Sequence, residues 1–65
     1  MHTKYLIQTE NINCGTSQPI YSNKSLNQLL YIYGSQIEGE TVTIHDFQQD
    51  ITHKWIYENG KYSEC

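Results

Sequence analysis

The clearest structural signal in the sequence is the segment of residues 22–34, SNKSLNQLLYIYG. Within it, Leu26, Leu29, Leu30 and Tyr33 recur at i, i+3, i+4 and i+7, the spacing that aligns apolar side chains along one face of an α-helix. The segment therefore predicts one amphipathic helix, whose apolar face must be buried against another part of the chain.

The residues at the two ends of this segment predict where the helix begins and ends. Ser22 has the kind of side chain that caps a helix N-terminus, and Tyr21 before it is placed to pack on Leu26 as a hydrophobic staple. Gly34 is expected to end the helix in the left-handed conformation that glycine tolerates.

Segments rich in β-branched and aromatic residues lie on both sides of the helix. We predict strands at residues 4–9, 41–47, 53–58 and 61–64. Residues 10–19 contain asparagine, glycine, serine and proline and are predicted to form a loop.

The last two predicted strands are joined by Asn59-Gly60, the strongest short signal for a β-hairpin, since both residues tolerate positive φ. This turn pairs Glu58 with Lys61, so the charges match across the strands. The sequence predicts an α+β fold over residues 1–65 as a single small domain. Its architecture is two-layer, in the order β-α-β-β-β, with one helix packed on an antiparallel meander.

The register between the two middle strands decides which side chains are buried. A symmetric loop over residues 48–52 would place Asp46 opposite Lys54 and Ile44 opposite Ile56. One face of the sheet would then be mostly aromatic. It would contain Thr43, His45, Phe47, His53, Trp55, Tyr57 and Tyr62. Because burying a charge is costly, we expect this aromatic face to lie under the helix.

The other face is the predicted interface, because a single helix cannot cover both sides of a sheet. It would combine three aliphatic side chains with a charged rim. The aliphatic residues are Val42, Ile44 and Ile56, and the rim residues are Asp46, Lys54, Glu58 and Lys61. Two interpretations stay open: an ordinary surface under long lysine and glutamate stems, or a contact with a second copy or another protein.

Composition excludes several classes of protein. The 65 residues include four lysines, no arginine and seven acidic residues, for a net charge of -3, which argues against nucleic-acid binding. No apolar run approaches the ~20 residues of a membrane span, and the start lacks the apolar core of a secretory signal. We therefore expect a cytoplasmic protein without membrane contact. The absence of alanine and arginine is typical of AT-rich codons and suggests an accessory gene of a bacterium or its phage.

Residues that could perform chemistry stand apart from one another. Cys14 and Cys65 are far apart in sequence and lack the close spacing of zinc ligands, and no disulfide framework is expected in a cytoplasmic chain. His45 and Asp46 would point to opposite faces of a strand. Glu38 and Glu40 supply too few oxygens for a hard cation. We predict no enzymatic activity, no cofactor and no metal.

The charge distribution and the small size point to binding. Residues 38–65 carry six acidic side chains and two lysines, whereas residues 1–37 carry one acidic side chain and two lysines. This acidic half either steers association with basic protein surfaces or only keeps the chain in solution. Because so small a core supplies only ~3–5 kcal/mol, burial against a second subunit is also expected.

The sequence therefore predicts a small non-enzymatic protein-binding module, homodimeric, that acts as an adaptor or inhibitor through a sheet face and the acidic C-terminal half. A first alternative is a self-associating structural or assembly protein of a mobile element. A second is a binder of single-stranded nucleic acid that stacks bases on Tyr5, Tyr31, Tyr33 and Trp55.

Overall fold

A computed structural model describes residues 3–13 and 15–64 and shows one helix and six strands in them. The elements are β1 (Tyr5–Asn11), β2 (Gly15–Thr16), β3 (Ile20–Ser22), α1 (Leu26–Tyr33), β4 (Thr41–Asp46), β5 (Ile51–Glu58) and β6 (Lys61–Glu64). All strand pairs are antiparallel, in the order β2-β1-β4-β5-β6, and β3 also pairs with β1. The predicted α+β fold, with one helix on an antiparallel meander, is confirmed.

The predicted loop over residues 10–19 is wrong in part, because β1 continues to Asn11 and β2 lies within it. Together with β3, which follows the predicted loop, β2 forms an edge along β1. Thr16 pairs with Glu10, whereas Ile20 pairs with Ile7, so three residues of this edge lie opposite two of β1. The extra residue is a β-bulge. Ser17 holds it to β1, since its amide donates to the Thr9 carbonyl at 2.7 Å and its hydroxyl accepts from the Thr9 amide at 2.9 Å.

The helix is capped three residues later than predicted, at Ser25 instead of Ser22. Ser25 is the N-cap, and its amide and hydroxyl both donate to Gln28 Oε1, at 3.3 and 3.2 Å. Ser22 belongs to β3 instead. Tyr21 is also in β3, and its ring stacks on Phe47 rather than on the first helical residue. The N-cap at Ser22 and the staple are therefore wrong.

Gly34 ends the helix as predicted, but for a different physical reason. Its amide donates to the Leu30 carbonyl at 3.1 Å, and its φ of -72° lies outside the left-handed region. The left-handed residue is Gln36, at φ 56°. A Cβ at Gly34 would overlap the Tyr62 hydroxyl and lie 2.8 Å from Tyr62 Cζ. Glycine is thus required for space and not for conformation.

The predicted register between β4 and β5 is wrong by three residues. Val42 pairs with Trp55 and Ile44 pairs with His53, so Ile44 does not face Ile56. Because neighbouring strand residues point to opposite faces, a shift by an odd number exchanges the faces of one strand relative to the other. The side chains of Val42, Ile44 and Trp55 therefore share a face.

The turn between β4 and β5 explains this register. Asp46 pairs with Ile51, which leaves a turn of four residues, 47–50. The Asp46 carboxylate accepts the amides of Gln48 at 2.9 Å and Gln49 at 3.2 Å. Asp50 closes the turn at φ 55°. Asp46 therefore caps a turn and does not pair with Lys54 as predicted.

The hairpin between β5 and β6 is confirmed. Residues 59–60 have φ values of 55° and 81°, as a type I′ turn requires. Glu58 lies opposite Lys61 and Tyr57 lies opposite Tyr62.

The core lies between α1 and one face of the sheet. The buried apolar side chains are Tyr5, Ile7, Leu29, Leu30, Val42, Ile44 and Trp55, with Leu26, Tyr33 and Tyr62 packed against them. The predicted helical stripe is thus the buried one. The predicted aromatic core face is only half right. Trp55 lies under the helix, whereas register places Thr43 and His45 on the opposite face.

Candidate functional site

The structure divides the predicted interface between the two faces of the sheet. Val42 and Ile44 are fully buried beneath the helix, at 0% exposed, and Asp46 lies on the same face. Their prediction as outward-facing residues is wrong, because the three-residue register shift turns them into the core. The remaining four residues lie together on the opposite side. They are Lys54, Ile56, Glu58 and Lys61.

We call the side of the sheet opposite α1 the outer face. No element among the described residues packs on it, since the helix lies on the other side. Leu6 is half-buried near one end of this face and pairs with Tyr21 on one neighbouring strand and with His45 on the other. These three side chains therefore lie in a row across the sheet.

Phe47 extends this row into an aromatic patch, defined here as Leu6, Tyr21, His45 and Phe47. The rings of Tyr21 and Phe47 are 6.4 Å apart and inclined by 13°, and the ring of His45 meets Phe47 edge-on at 5.0 Å. Tyr21 is 64% exposed and Phe47 45% exposed. The patch combines large apolar area with side chains that are already in contact with one another.

His45 is held in place from both ring nitrogens. Its Nδ1 lies 2.9 Å from Thr52 Oγ1, and its Nε2 lies 3.3 Å from the Asp50 carboxylate. Asp50 is the last residue of the β4–β5 turn and Thr52 lies at the start of β5, so the turn also orients the ring. A residue held in this way loses little freedom when a ligand covers it.

The other end of the outer face is polar. Ile56 is half-buried there, opposite Thr41 and Ser63. Glu58 and Lys61 face each other across the hairpin. Glu58 and Lys61 thus form a charged border at the end of the outer face that is far from the aromatic patch.

A second unusual site is a carboxylate buried on the helix side. Glu40 is 0% exposed and accepts four hydrogen bonds. Its two oxygens accept the Ser35 amide at 3.1 and 2.8 Å, and Oε1 also accepts the Gln36 amide at 3.2 Å and the Tyr62 hydroxyl at 2.6 Å. Burial and the hydrogen bond to Glu40 raise the pKa of Tyr62. Glu38 is exposed, so the two carboxylates do not act as a pair.

The structure reduces the number of acidic side chains in residues 38–65 that are available at the surface. The Glu40 carboxylate is enclosed by its own chain, and the Asp46 carboxylate is occupied by the turn after β4. Two of the six acidic side chains of residues 38–65 therefore serve the fold. The acidic surface is weaker than the sequence indicates.

The aromatic residues named for base stacking do not share a surface. Tyr5 and Trp55 belong to the buried core. Tyr31 is exposed on the helix and packs edge-on against Tyr62 at 5.7 Å, while Tyr33 is half-buried against the core. The structure brings a different exposed aromatic pair together, Tyr21 and Phe47, which the sequence does not predict. Its members lie 26 positions apart and meet only through the pairing of β1 with β3 and β4.

The groups considered for metal binding or catalysis remain separate. His53 Nδ1 lies 2.9 Å from Glu64 Oε2, on the same side of the sheet as Trp55. Within residues 3–13 and 15–64, no three His, Cys, Asp or Glu side chains are grouped so that they could hold a metal ion. Cys14 and Cys65 lie outside the described residues.

Comparison of the chain with protein-family models, with curated proteins and with solved structures found no match. In the described part of the chain, α1 has eight residues, and no helix is long and apolar enough to cross a membrane. The outer face, with its exposed aromatic patch, is the candidate functional site.

Proposed function

We propose that this chain is a small non-enzymatic protein-binding module, an adaptor or inhibitor, whose protein partner docks on the outer face. The single observation that carries the proposal is the aromatic patch on a sheet face that the helix leaves uncovered. The proposal places the protein in the cytoplasm of a bacterium, as the product of an accessory or phage gene.

The aromatic patch has the properties of an interface centre. Binding energy at protein interfaces is concentrated in a few large aromatic side chains, surrounded by polar residues that exclude water. Tyr21 and Phe47 supply the large side chains, and His45 is already fixed by Thr52 and Asp50. Tyr21 and His45 lie on strands, which hold such side chains more rigidly than loops do.

The charges of the outer face favour a protein partner over a nucleic acid. Its strands carry Glu10, Lys54, Glu58 and Lys61, which is a mixture of both signs. A phosphate backbone requires a surface dominated by lysine and arginine. A mixed border instead suits the polar rim of a protein interface.

Affinity capture from the native host tests the proposal, with a pair of matched variants. Phe47→Ser removes an aromatic side chain from the patch, whereas Ile32→Ser removes a side chain of similar exposure, 53%, from the helix. We expect the parent and Ile32→Ser to retain a stoichiometric protein partner and Phe47→Ser to lose it, with similar thermal melts for all three.

Light scattering on the same samples identifies the partner class. A parent that is dimeric alone, and monomeric as Phe47→Ser, has a second copy of itself as the partner. A parent that is monomeric and captures no protein contradicts the proposal. Captured material that is lost on nuclease treatment would favour the alternative function of binding single-stranded nucleic acid.

A further inference from the structure

The buried Glu40 carboxylate is bound by its own chain as a ligand would be. Among its hydrogen-bond partners are two consecutive backbone amides, those of Ser35 and Gln36, and the Tyr62 hydroxyl. Consecutive amides that converge on one point form a concavity suited to an anion, and the left-handed φ of Gln36, 56°, is typical of such a concavity. We call these three donors the carboxylate cradle.

The Tyr62 hydroxyl is committed to donating into the cradle. It accepts the Gln36 amide at 3.1 Å, and its own hydrogen is directed to Glu40 Oε1 at 2.6 Å. The absence of a side chain at Gly34 allows this hydroxyl to approach the end of the helix. The position of the donor is therefore built into the backbone and the aromatic packing.

The cradle is held by contacts that do not involve the Glu40 side chain. The Tyr62 ring packs against Tyr57 at 4.8 Å and against Tyr31 at 5.7 Å. The Glu40 amide donates to the Ile37 carbonyl at 2.8 Å, and the Tyr57 amide donates to the Glu40 carbonyl at 2.8 Å. None of these contacts uses the Glu40 side chain, so we expect them to persist when it is truncated.

We propose that the carboxylate cradle is a binding site for small monocarboxylates in its own right, and that a Glu40→Ala chain binds free acetate or formate where the side chain was. The substitution removes a methylene and a carboxylate, which are together the size of acetate. It leaves the Ser35 amide and the Tyr62 hydroxyl, which point to the fully buried Glu40 carboxylate, without that acceptor. Donors directed into a space closed to solvent cost free energy until an acceptor returns. This inference rests on residues of the helix side and is independent of the proposed function.

The melting temperature of Glu40→Ala, measured against acetate concentration at constant ionic strength, tests the proposal. A ligand that binds only the folded chain raises its stability, and at ten times Kd the ratio of folded to unfolded chain rises about tenfold. We expect a saturating rise for Glu40→Ala. The parent, whose cradle is filled, and Glu38→Ala, which loses an exposed carboxylate, should show only the small salt response common to all chains.

Three controls identify the site and the chemistry. Acetamide has the shape of acetate without its charge and should stabilise Glu40→Ala less. Chloride should also stabilise it less, and the double variant with Tyr62→Phe should respond to acetate more weakly. Equal responses to acetate, acetamide and chloride, or an acetate response no larger than that of the parent, would overturn the proposal.

A Glu40→Ala chain that is unfolded in buffer is still informative. Its refolding by acetate, followed by the fluorescence of the buried Trp55, supports the site if acetamide and chloride do not refold it. Failure of acetate to refold a chain that trimethylamine oxide does refold overturns the proposal. A chain that neither solute refolds overturns it too, because the donors then do not persist without the Glu40 side chain.

Discussion

Tyr62 donates its hydroxyl hydrogen to Glu40 across 2.6 Å, and this bond joins the last strand to the residue that precedes β4. The same hydroxyl accepts the Gln36 amide, so the loop that leaves the helix is tied to the sheet at this point. The bond requires the Tyr62 phenol to keep its proton, and this gives a stability that depends on pH.

The first prediction concerns alkaline pH. Burial and the hydrogen bond to Glu40 raise the pKa of Tyr62 above its ordinary value of 10.0. The unfolded chain therefore loses this proton first as the pH rises, and the stabilisation that is complete below pH 10 declines above it. In urea denaturation above pH 10, the parent should lose stability more steeply than Tyr62→Phe. Tyr31→Phe, which removes the hydroxyl of an exposed tyrosine, should follow the parent.

The second prediction concerns the buried carboxylate at neutral pH. Glu40→Gln replaces one of the two acceptor oxygens with an NH2 group, which only donates; because the Ser35 amide bonds to both oxygens, it loses one of these bonds whichever oxygen is replaced. Loss of a buried acceptor should lower the free energy of unfolding by about 1–3 kcal/mol. Glu38→Gln, at an exposed position two residues earlier, should change it by less than about 0.5 kcal/mol. Equal effects of the two changes in urea denaturation would contradict the cradle.

The third prediction decides which face of the sheet is the core. Ile44→Lys places a charge at a fully buried position and should unfold the chain, because burial of an unpaired charge costs several kcal/mol. Ile56→Lys, the same substitution on the outer face, should leave a cooperative thermal melt, since a half-buried lysine can extend to water. A folded Ile44→Lys beside an unfolded Ile56→Lys would reverse the two faces.

The fourth prediction tests the helix. Leu29→Ala should cost about 2–5 kcal/mol, comparable to the whole stability of so small a domain, and the variant should be largely unfolded by circular dichroism. Ile32→Ala, at an exposed position of the same helix, should retain the parental melt. If Leu29→Ala melts like the parent, the predicted stripe does not carry the core.

Local signals in the sequence are sufficient for the helix and the last hairpin. The stripe through Leu26, Leu29, Leu30 and Tyr33 concerns one helix alone, and the turn of residues 59–60 depends on the φ of two adjacent residues. Neither requires knowledge of distant parts of the chain. The buried stripe and the hairpin are therefore confirmed, although the helix begins three residues later than predicted.

The register of β4 and β5 is set by the turn between them and cannot be predicted from the alternation of apolar and polar residues alone. The signal was present, since an aspartate two residues before a turn amide commonly caps it, and Asp46 caps the amides of Gln48 and Gln49. A charge pair between Asp46 and Lys54 implies a register that differs by three residues from the observed one, in which Asp46 pairs with Ile51. In the predicted register Val42 and Ile44 share a face with Lys54 and Ile56, whereas in the observed register they share the buried face with Trp55.

The carboxylate cradle and the aromatic patch depend on tertiary structure. Glu40 meets Tyr62 across 22 positions, and its other donors are backbone amides, which carry no residue signature. Tyr21 reaches Phe47 only because a bulged edge strand brings it beside Leu6. Sites of this kind follow from the fold and could not be found from spacing.

The bulge between β2 and β3 also affects how copies of this chain can stack into larger sheets. An extra residue and a proline, Pro19, which has no amide hydrogen, interrupt the row of backbone groups along that edge. The opposite edge, β6, is regular but only four residues long and ends in charged Lys61 and Glu64. Bulged, proline-containing, short and charged edge strands oppose the edge-to-edge pairing by which sheets grow into fibrils.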